Sequence, residues 1–342
     1  MPQSEVRRSV VSAQLLTQLG LQHGLAEADC LRGTGLDAAS LTDAQQEISA
    51  AQELQLVRNL VGALGHVPGI GLDAGLRYHL SSYGIWGFAL LSSPTFRSAA
   101  DVAVRYLDLT YAFVRFSLRE QGRELHVVLD DSAIEPGVRQ FLLERDFAAL
   151  ATAMRELRPG GMPMLGLQFR FRRPAYAERF RELIGAEPRF DAADNSLWLD
   201  SSHVDAPLPQ GNSVMARMCT EQCRQLLARR QQRSGIAGRV RDRLLQSPGD
   251  MPGIDLVAGE LHMATRSLRR RLEEEGTSFR ALVDEIRQAL AEELLTTAHL
   301  KLEEVAMRLG YSEPASFIHA FKRWKGVSPA VYRQQRHASR EK

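Results

Sequence analysis

Three arginines stand close together in the C-terminal third of the sequence: Arg266, Arg269 and Arg270. Residues three and four apart share one face of a helix, so in a helical segment these guanidinium groups project together. A guanidinium can donate two parallel hydrogen bonds to O6 and N7 of guanine, the commonest specific contact in the major groove. The residue types and their spacing therefore indicate recognition of bases in DNA.

Apolar positions beside these arginines predict the helix that must carry them. Leu268 and Leu272 are four residues apart and face a core, which turns the arginines outward. Thr265 is placed to cap the start of this helix and is itself a candidate DNA contact. A short apolar segment precedes the helix, so residues 254–276 predict a helix-turn-helix motif.

The same pattern returns further along the chain, which indicates an internal repeat. Leu268 and Leu272 recur as Phe317 and Phe321, 49 residues on. The second copy spans about 302–326 and again reads as a short helix, a tight turn and a longer helix. An amphipathic segment, 279–298, is predicted to be the helix that joins the copies.

The outward face of the second copy is only weakly polar. It consists of Pro314, Ala315, Ile318 and His319. Apolar side chains can contact thymine methyl groups, and His319 can donate to a base or a phosphate. Alternatively, this copy mainly holds the DNA backbone through the basic residues Lys322, Arg323 and Lys325. Both interpretations remain open.

The charge of the chain is unevenly distributed. From Arg217 onward there are 23 Lys and Arg against 16 Asp and Glu, whereas the whole 342-residue chain has 43 against 41. A basic C-terminal part joined to an acidic N-terminal part is typical of a nucleic-acid-binding module attached to a second domain. We expect a first domain at 1–211, a linker helix at 212–234 and an all-α DNA-binding domain at 235–342.

The N-terminal part mixes helical and strand patterns, which predicts an α+β fold. Segments 113–119 and 124–130 alternate between apolar and polar residues, with Gln121-Gly122 between them as a hairpin signal. A helical pattern follows Pro136 and continues to about Leu157.

This N-terminal domain is the candidate site for a small-molecule effector and for dimerisation. Tyr83 and Trp86 stand among glycines and offer stacking area for a pocket wall, and the alternative is that they are core aromatics. Arg77, His79 and Arg115 could pair with an acidic ligand, and the alternative is that they form surface salt bridges. The residues do not identify the effector.

Other classes of protein find little support in the sequence. Cys30, Cys219 and Cys223 make neither a disulfide framework nor a zinc site, so we expect reduced thiols and no metal or cofactor. Apolar runs fall far short of the roughly 18 residues of a membrane span, and no signal peptide is recognisable, which predicts a cytoplasmic protein with no membrane partner. The motifs GxSxG, HExxH and GxxxxGK[ST] are missing, which argues against an enzyme.

A longer stretch carries a recognisable family pattern. VAMRLGYSEPASFIHAFKRWKGVSPAVYR (305–333) resembles the C-terminal signature of AraC/XylS-type transcription regulators. The shared features are the Gly-aromatic turn, the Phe-Lys pair, the Gly-x-Ser-Pro corner and the closing Tyr332-Arg333. Residues 257–279 resemble the first helix-turn-helix of that family. Members of the family often have polar residues where this chain has Pro314, Ala315 and Ile318.

The N-terminal part shows a second resemblance. Segments 75–99 and 205–212 are similar to the effector domain of one AraC-type subgroup, a domain often labelled arabinose-binding-like. The combined resemblance implies a one-component regulator that binds double-stranded promoter DNA as a homodimer and responds to a small molecule. It favours activation, which requires contact with RNA polymerase.

Two alternatives to a sequence-specific regulator are a nonspecific architectural DNA-binding protein and an enzyme with an accessory helical domain. An architectural protein would show a flat sequence preference and a steep salt dependence. Arginines in the positions that face the groove argue against it, and the missing catalytic motifs argue against the enzyme.

Overall fold

The computed structural model describes residues 7–43, 46–233, 235–247, 249–297 and 300–338. The chain divides into two compact units, residues 1–230 and 231–342. Residue 234, where the predicted linker helix ends, and residue 298, where the predicted joining helix ends, lie outside the described residues.

The first unit combines two sheets with helices, which confirms the predicted α+β class. Its strands are β1 (Arg7–Ser9), β2 (Glu47–Ser49), β3 (Arg115–Gln121), β4 (Glu124–Asp130), β5 (Met164–Gln168), β6 (Pro188–Arg189) and β7 (Ser196–Asp200). Strands β1 and β2 pair with each other, and the other five form one sheet in the order β3-β4-β7-β5-β6. Within this sheet β5 and β6 run parallel, and the remaining neighbours are antiparallel.

The hairpin predicted from alternation is present. Strands β3 and β4 pair antiparallel, with Gln121 opposite Glu124 at the turn and Leu118 opposite Val127 further along. Gly122 has a φ of 62° in this turn, a left-handed conformation that favours glycine.

Within the described residues, ten α-helices belong to the first unit or begin in it. They are α1 (Val11–Gln22), α2 (Glu27–Leu31), α3 (Ala38–Thr42), α4 (Ala50–Leu64), α5 (Ile70–Gly75), α6 (Ile85–Leu91), α7 (Phe96–Arg105), α8 (Pro136–Leu157), α9 (Glu178–Ile184) and α10 (Ser213–Arg233). Helix α8 is buried over most of its surface and starts at Pro136, as predicted, because proline lacks the N–H that the first helical turn leaves unpaired.

Helix α10 occupies the segment predicted as a linker. Its Cys219 and Cys223 are buried in the core of the first unit. All three cysteines are unpaired and buried. Burial raises the pKa of Cys223 to about 11, with the nearby Cys219 adding to the effect, so this side chain is a neutral thiol at physiological pH.

The second unit contains helices and connecting turns in its described residues and no strand among them. Its helices are α11 (Gly235–Leu245), α12 (Ile254–Glu260), α13 (Thr265–Glu274), α14 (Phe279–Thr297), α15 (Leu302–Arg308), α16 (Pro314–Lys325) and α17 (Pro329–Ala338). They enclose two small cores, and α14 contributes to both. Leu282 and Ile286 lie in the first core, and Ala291 and Leu295 in the second.

Metal sites and membrane spans are both missing from the part of the chain that the structure describes. There, no three His, Cys, Asp or Glu side chains are arranged to hold a metal ion. No helix within the same ranges is both long and apolar enough to cross a bilayer.

Candidate nucleic-acid interface and effector cavity

Helices α12 and α13 form the first helix-turn-helix motif, and α15 and α16 form the second. The two turns are closed in the same way: Met263 N–H donates to the carbonyl of Ala258 (2.9 Å), and Tyr311 N–H donates to that of Ala306 (3.0 Å). Each turn needs one residue with positive φ, because the chain reverses there within a few residues. Gly310 fills this position in the second motif (φ 75°), whereas His262 fills it in the first (φ 54°).

The predicted arginine face of α13 is exposed. Leu268 and Leu272 are fully buried, and Arg266, Arg269 and Arg270 lie on the solvent side of the helix. Arg270 is 3.5 Å from Glu274, with both side chains mostly exposed. Arg266 and Arg269 form no ion pair with any described residue. We refer to these three arginines as the α13 arginine face, whose donors are available to an external partner.

The predicted capping role of Thr265 is wrong. Ala264 is the N-cap of α13 and has no side-chain hydrogen bond, and Thr265 is the first residue of the helix. The Thr265 hydroxyl instead donates to the carboxylate of Asp255, at 2.6 Å, because that acceptor lies across the turn on α12. Thr265 therefore ties α13 to α12.

The second motif presents a less polar face, as the sequence suggested. Phe317 and Phe321 are fully buried. Ala315 and His319 are exposed, and Pro314 occupies the first turn of α16. The side chains of Pro314 and Ile318 are half-buried, so the outward position predicted for Ile318 is only partly correct. Ile318 directly follows Phe317 and therefore lies at the edge of the buried side of the helix.

The basic end of α16 separates into two groups. Lys322 and Arg323 are exposed, and Arg323 makes one exposed contact with Asp284, at 3.4 Å. Lys325 is 2.5 Å from Glu292, which also accepts a hydrogen bond of 2.7 Å from the hydroxyl of Tyr332. Because Lys325 is engaged inside the second unit, Lys322 and Arg323 are the two of these three basic residues that stay exposed for contact with phosphates.

The first unit contains a cavity with an empty volume of about 870 Å³, including its open mouth. Its walls come from α6, α7, α8 and the β3–β4 hairpin. Tyr83 and Trp86 line it, in agreement with the predicted pocket wall. Much of the remaining lining is apolar and includes Leu90, Phe96, Val104, Phe116, Leu150 and Met154.

A close helix contact positions the two aromatic residues. Tyr83 ends a short 3₁₀ turn that begins at Leu80, and Trp86 lies in α6, which follows directly. Their ring centroids are 4.9 Å apart. A Cβ atom on Gly87 would lie 1.8 Å from the carbonyl oxygen of Leu80, so only glycine allows α6 to approach this turn.

Arg145 and Asp146 line one side of the cavity. They belong to a buried ion cluster, which we define as Arg8, Glu53, Arg145 and Asp146. Arg145 donates to Asp146 (2.9 Å), to Glu53 (3.0 Å) and to the backbone carbonyl of Tyr111 (2.7 Å). Arg8 donates to Glu53 at 3.1 Å. Asp146 also accepts two backbone N–H groups just before β3, at 3.0 and 2.9 Å. Burial alone lowers the pKa of Arg145, but Asp146 raises it above its ordinary value, so the guanidinium stays charged.

The ion cluster was not anticipated from the sequence, although a signal was present. The segment FLLERDF (141–147) places three consecutive charged residues inside an otherwise apolar stretch of α8. Because α8 is buried over most of its surface, these side chains had to find partners in the interior.

The three polar residues predicted to bind an acidic ligand do not line the cavity. Arg77, His79 and Arg115 each have a partner elsewhere on the first unit. These partners are Gln22 for Arg77, Glu156 for His79 at 2.5 Å, and Asp108 for Arg115 at 2.7 Å. Arg115 forms a salt bridge, which fits the alternative interpretation, His79 is hydrogen-bonded to a carboxylate, and a site for an acidic ligand is not assembled from the three residues.

Comparisons with known proteins match both units. Residues 24–208 match the family model described as the N-terminal arabinose-binding domain of AraC transcription regulator, and residues 257–335 match a helix-turn-helix domain model.

Several relatives match over almost their whole length. The chain is 38% identical over 335 residues to an uncharacterized HTH-type transcriptional regulator of Mycobacterium tuberculosis, with 97% of each chain covered. It is 31% identical over 337 residues to the ornithine utilization regulator of Pseudomonas aeruginosa, covering 95% of this chain and 96% of that protein. Among solved structures, the transcriptional regulator CdpR from Pseudomonas aeruginosa covers 95% of this chain and 98% of its own, with 25% identity and a TM-score of 0.46.

Proposed function

This chain belongs to the AraC family of transcription regulators, and from that premise we propose that it reads a specific promoter sequence and is controlled by a small molecule. The observation that carries the proposal is the α13 arginine face, which is exposed opposite the buried Leu268 and Leu272. A recognition helix in the major groove uses residues in this arrangement to contact base edges.

The two motifs have different roles in this proposal. Arg266, Arg269 and Arg270 read guanine edges, and each bidentate pair contributes about 1–3 kcal/mol of discrimination against a wrong base. In the second motif Ala315 and Ile318 contact thymine methyl groups.

The remaining residues of the second motif complete the contact with DNA. His319 donates to a base or a phosphate, while Lys322 and Arg323 hold the backbone. Pro314 contributes apolar contact beside Ala315. Helix α14 contributes residues to both cores of the second unit. The two recognition helices, α13 and α16, therefore act as a rigid pair that contacts major-groove segments about 34 Å apart.

The N-terminal domain is proposed to bind the effector and to mediate homodimerisation. The apolar cavity of the first unit supports effector binding. The proposal further includes, from the resemblance of the sequence to AraC-type regulators, a homodimer that activates transcription through contact with RNA polymerase. One relative is named for regulation of ornithine utilization, which agrees with control by a small molecule. Linkage requires the effector to change the affinity for DNA, and DNA to change the affinity for the effector by the same factor.

Selection of genomic fragments by the full-length protein, followed by sequencing over a salt series, tests the proposal. We expect a sharp motif with two elements about one helical turn apart. A flat preference with a steep salt dependence would instead identify an architectural protein. Mass measurement with and without DNA tests dimerisation, and a mass of one chain at every concentration would contradict it.

A further inference from the structure

We propose that the cavity of the first unit selects a neutral, largely apolar molecule with one hydrogen-bond acceptor, and that this acceptor binds the indole N–H of Trp86. The inference rests on the proposed effector control and names the chemical class of the effector.

The lining favours an apolar ligand body. The small side chains of alanines on α7 and α8, including Ala103 and Ala153, leave room for a ligand inside the cavity. Aliphatic and aromatic side chains surround this room. The space of about 870 Å³ includes open solvent at the mouth, and about 100 Å³ of it lies free within the walls, which suits a compact ligand body. Contact with these walls removes apolar ligand surface from water, which drives binding.

The charges in the wall are already neutralised. Arg145 is 1% exposed, and its donors are taken by Asp146, Glu53 and a backbone carbonyl. Both carboxylate oxygens of Asp146 are likewise occupied. An anionic ligand would lose its hydration without gaining an unpaired cation, and a cationic ligand would meet no unpaired carboxylate at this cluster. The cavity therefore favours a neutral molecule.

Trp86 supplies the polar contact. The side chain lines the cavity and is 7% exposed, and its Nε1 is buried with no hydrogen-bond partner among the described residues. Indole is a donor only, and buried donors are normally paired. Two of the three tyrosine hydroxyls in the same wall are already engaged: that of Tyr78 with Ser12 (2.7 Å) and that of Tyr111 with the carbonyl of Ser82 (2.9 Å). A ketone, ester or ether oxygen of the ligand would complete the bonding of Trp86.

Three probes of similar shape test the ligand class on the full-length protein. They are benzylacetone, which is neutral with an acceptor, butylbenzene, which is neutral without one, and hydrocinnamate, which is an anion. Calorimetric titration at neutral pH should give an affinity for benzylacetone at least tenfold above that for hydrocinnamate and severalfold above that for butylbenzene. The indole N–H signal of Trp86 in an NMR spectrum should move on addition of benzylacetone and not of butylbenzene.

Matched variants test the role of Trp86. Trp86→Phe keeps an aromatic ring without the N–H, so it should lower the affinity for benzylacetone about three- to tenfold and leave that for butylbenzene unchanged. Trp198→Phe is the control, because Trp198 stacks on His126 outside the cavity lining, and it should change neither affinity. Ala103→Phe should fill the space and abolish binding of both neutral probes. The NMR readout keeps the test valid if Trp86→Phe does not fold.

Three results would overturn the inference. They are hydrocinnamate binding as tightly as benzylacetone, no measurable binding of either neutral probe, and an equal loss for both neutral probes in Trp86→Phe. A failure of the proposed effector control can be distinguished from a failure of the proposed ligand class. If the neutral probes bind as expected but the affinity for the selected DNA never changes, the ligand class stands and effector control is contradicted.

Discussion

Replacement of Arg270 by alanine tests whether the exposed face of α13 reads bases. The substitution should leave the fold intact, because Arg270 is 72% exposed and its only ion pair among the described residues is an exposed contact of 3.5 Å with Glu274. Pairs of this kind contribute about 0.3–0.5 kcal/mol, so the free energy of unfolding should change by no more than that. The loss of a bidentate contact with guanine should cost about 1–3 kcal/mol of binding, roughly a 5- to 150-fold lower affinity.

The assay is competition between the selected DNA and single-base variants of it, measured at several salt concentrations. Arg270→Ala should relax the preference at one base pair and retain it at the others. Arg271→Ala is the matched control, because Arg271 is also exposed on α13 but points toward the flank of the helix. It removes the same charge and should weaken all sequences slightly and equally.

Equal behaviour of the two variants would refute the assignment of base reading. If Arg270→Ala and Arg271→Ala weakened every sequence to the same extent, both residues would contribute only electrostatic attraction to phosphates. The salt series separates these cases, because the loss of a phosphate contact reduces the slope of log affinity against log salt by about one.

Three further predictions concern stability. His262→Gly should raise the free energy of unfolding of the second unit by about 0.5–1 kcal/mol, since glycine adopts positive φ without strain, whereas Gly310→Ala should lower it. Chemical denaturation followed by circular dichroism measures both changes. A Gly310→Ala variant as stable as the unchanged protein would contradict the turn geometry. Gly87→Ala should lower the free energy of unfolding by about 1–3 kcal/mol and weaken the binding of butylbenzene, because the added Cβ would collide with the carbonyl of Leu80. Unchanged stability and binding would show that α6 can shift freely. Burial raises the pKa of Glu144, so the folded state binds the carboxyl proton of Glu144 more tightly than the unfolded state does. The contribution of Glu144 to stability is therefore present at acid pH and is lost as the pH rises through the pKa of the folded state. Glu144→Gln should therefore raise the melting temperature more at pH 8 than at pH 4, and an equal gain at both values would contradict the assignment.

Local periodicity predicted the second unit well. The 3.6-residue pattern identified Leu268, Leu272, Phe317 and Phe321 as core positions, and all four are fully buried. Since the hydrophobic face of a short helix fixes its outward face, the exposure of the arginines on α13 followed directly. Base contacts by these arginines remain a prediction.

Features that depend on contacts across the fold were not predictable from local pattern. Thr265 occupied a sequence position suited to a cap, but the acceptor that it uses, Asp255, lies on the preceding helix. The ion cluster joins Arg8, Glu53 and Arg145, which are far apart along the chain. The cavity is assembled from helices and a hairpin whose meeting depends on the whole tertiary structure.

Helix α14 has a consequence for how this regulator changes over evolution. Leu282 and Ile286 anchor α14 in the first core, and Ala291 and Leu295 anchor it in the second. The length of α14 therefore sets the distance and the rotation between the two helix-turn-helix motifs. One residue inserted in α14 would turn the second helix-turn-helix motif by about 100° and advance it by about 1.5 Å, which would place this motif out of phase with the DNA groove. If α13 and α16 read bases as proposed, single substitutions on them would change which bases are preferred, while the spacing between the two halves of the binding site would stay the same.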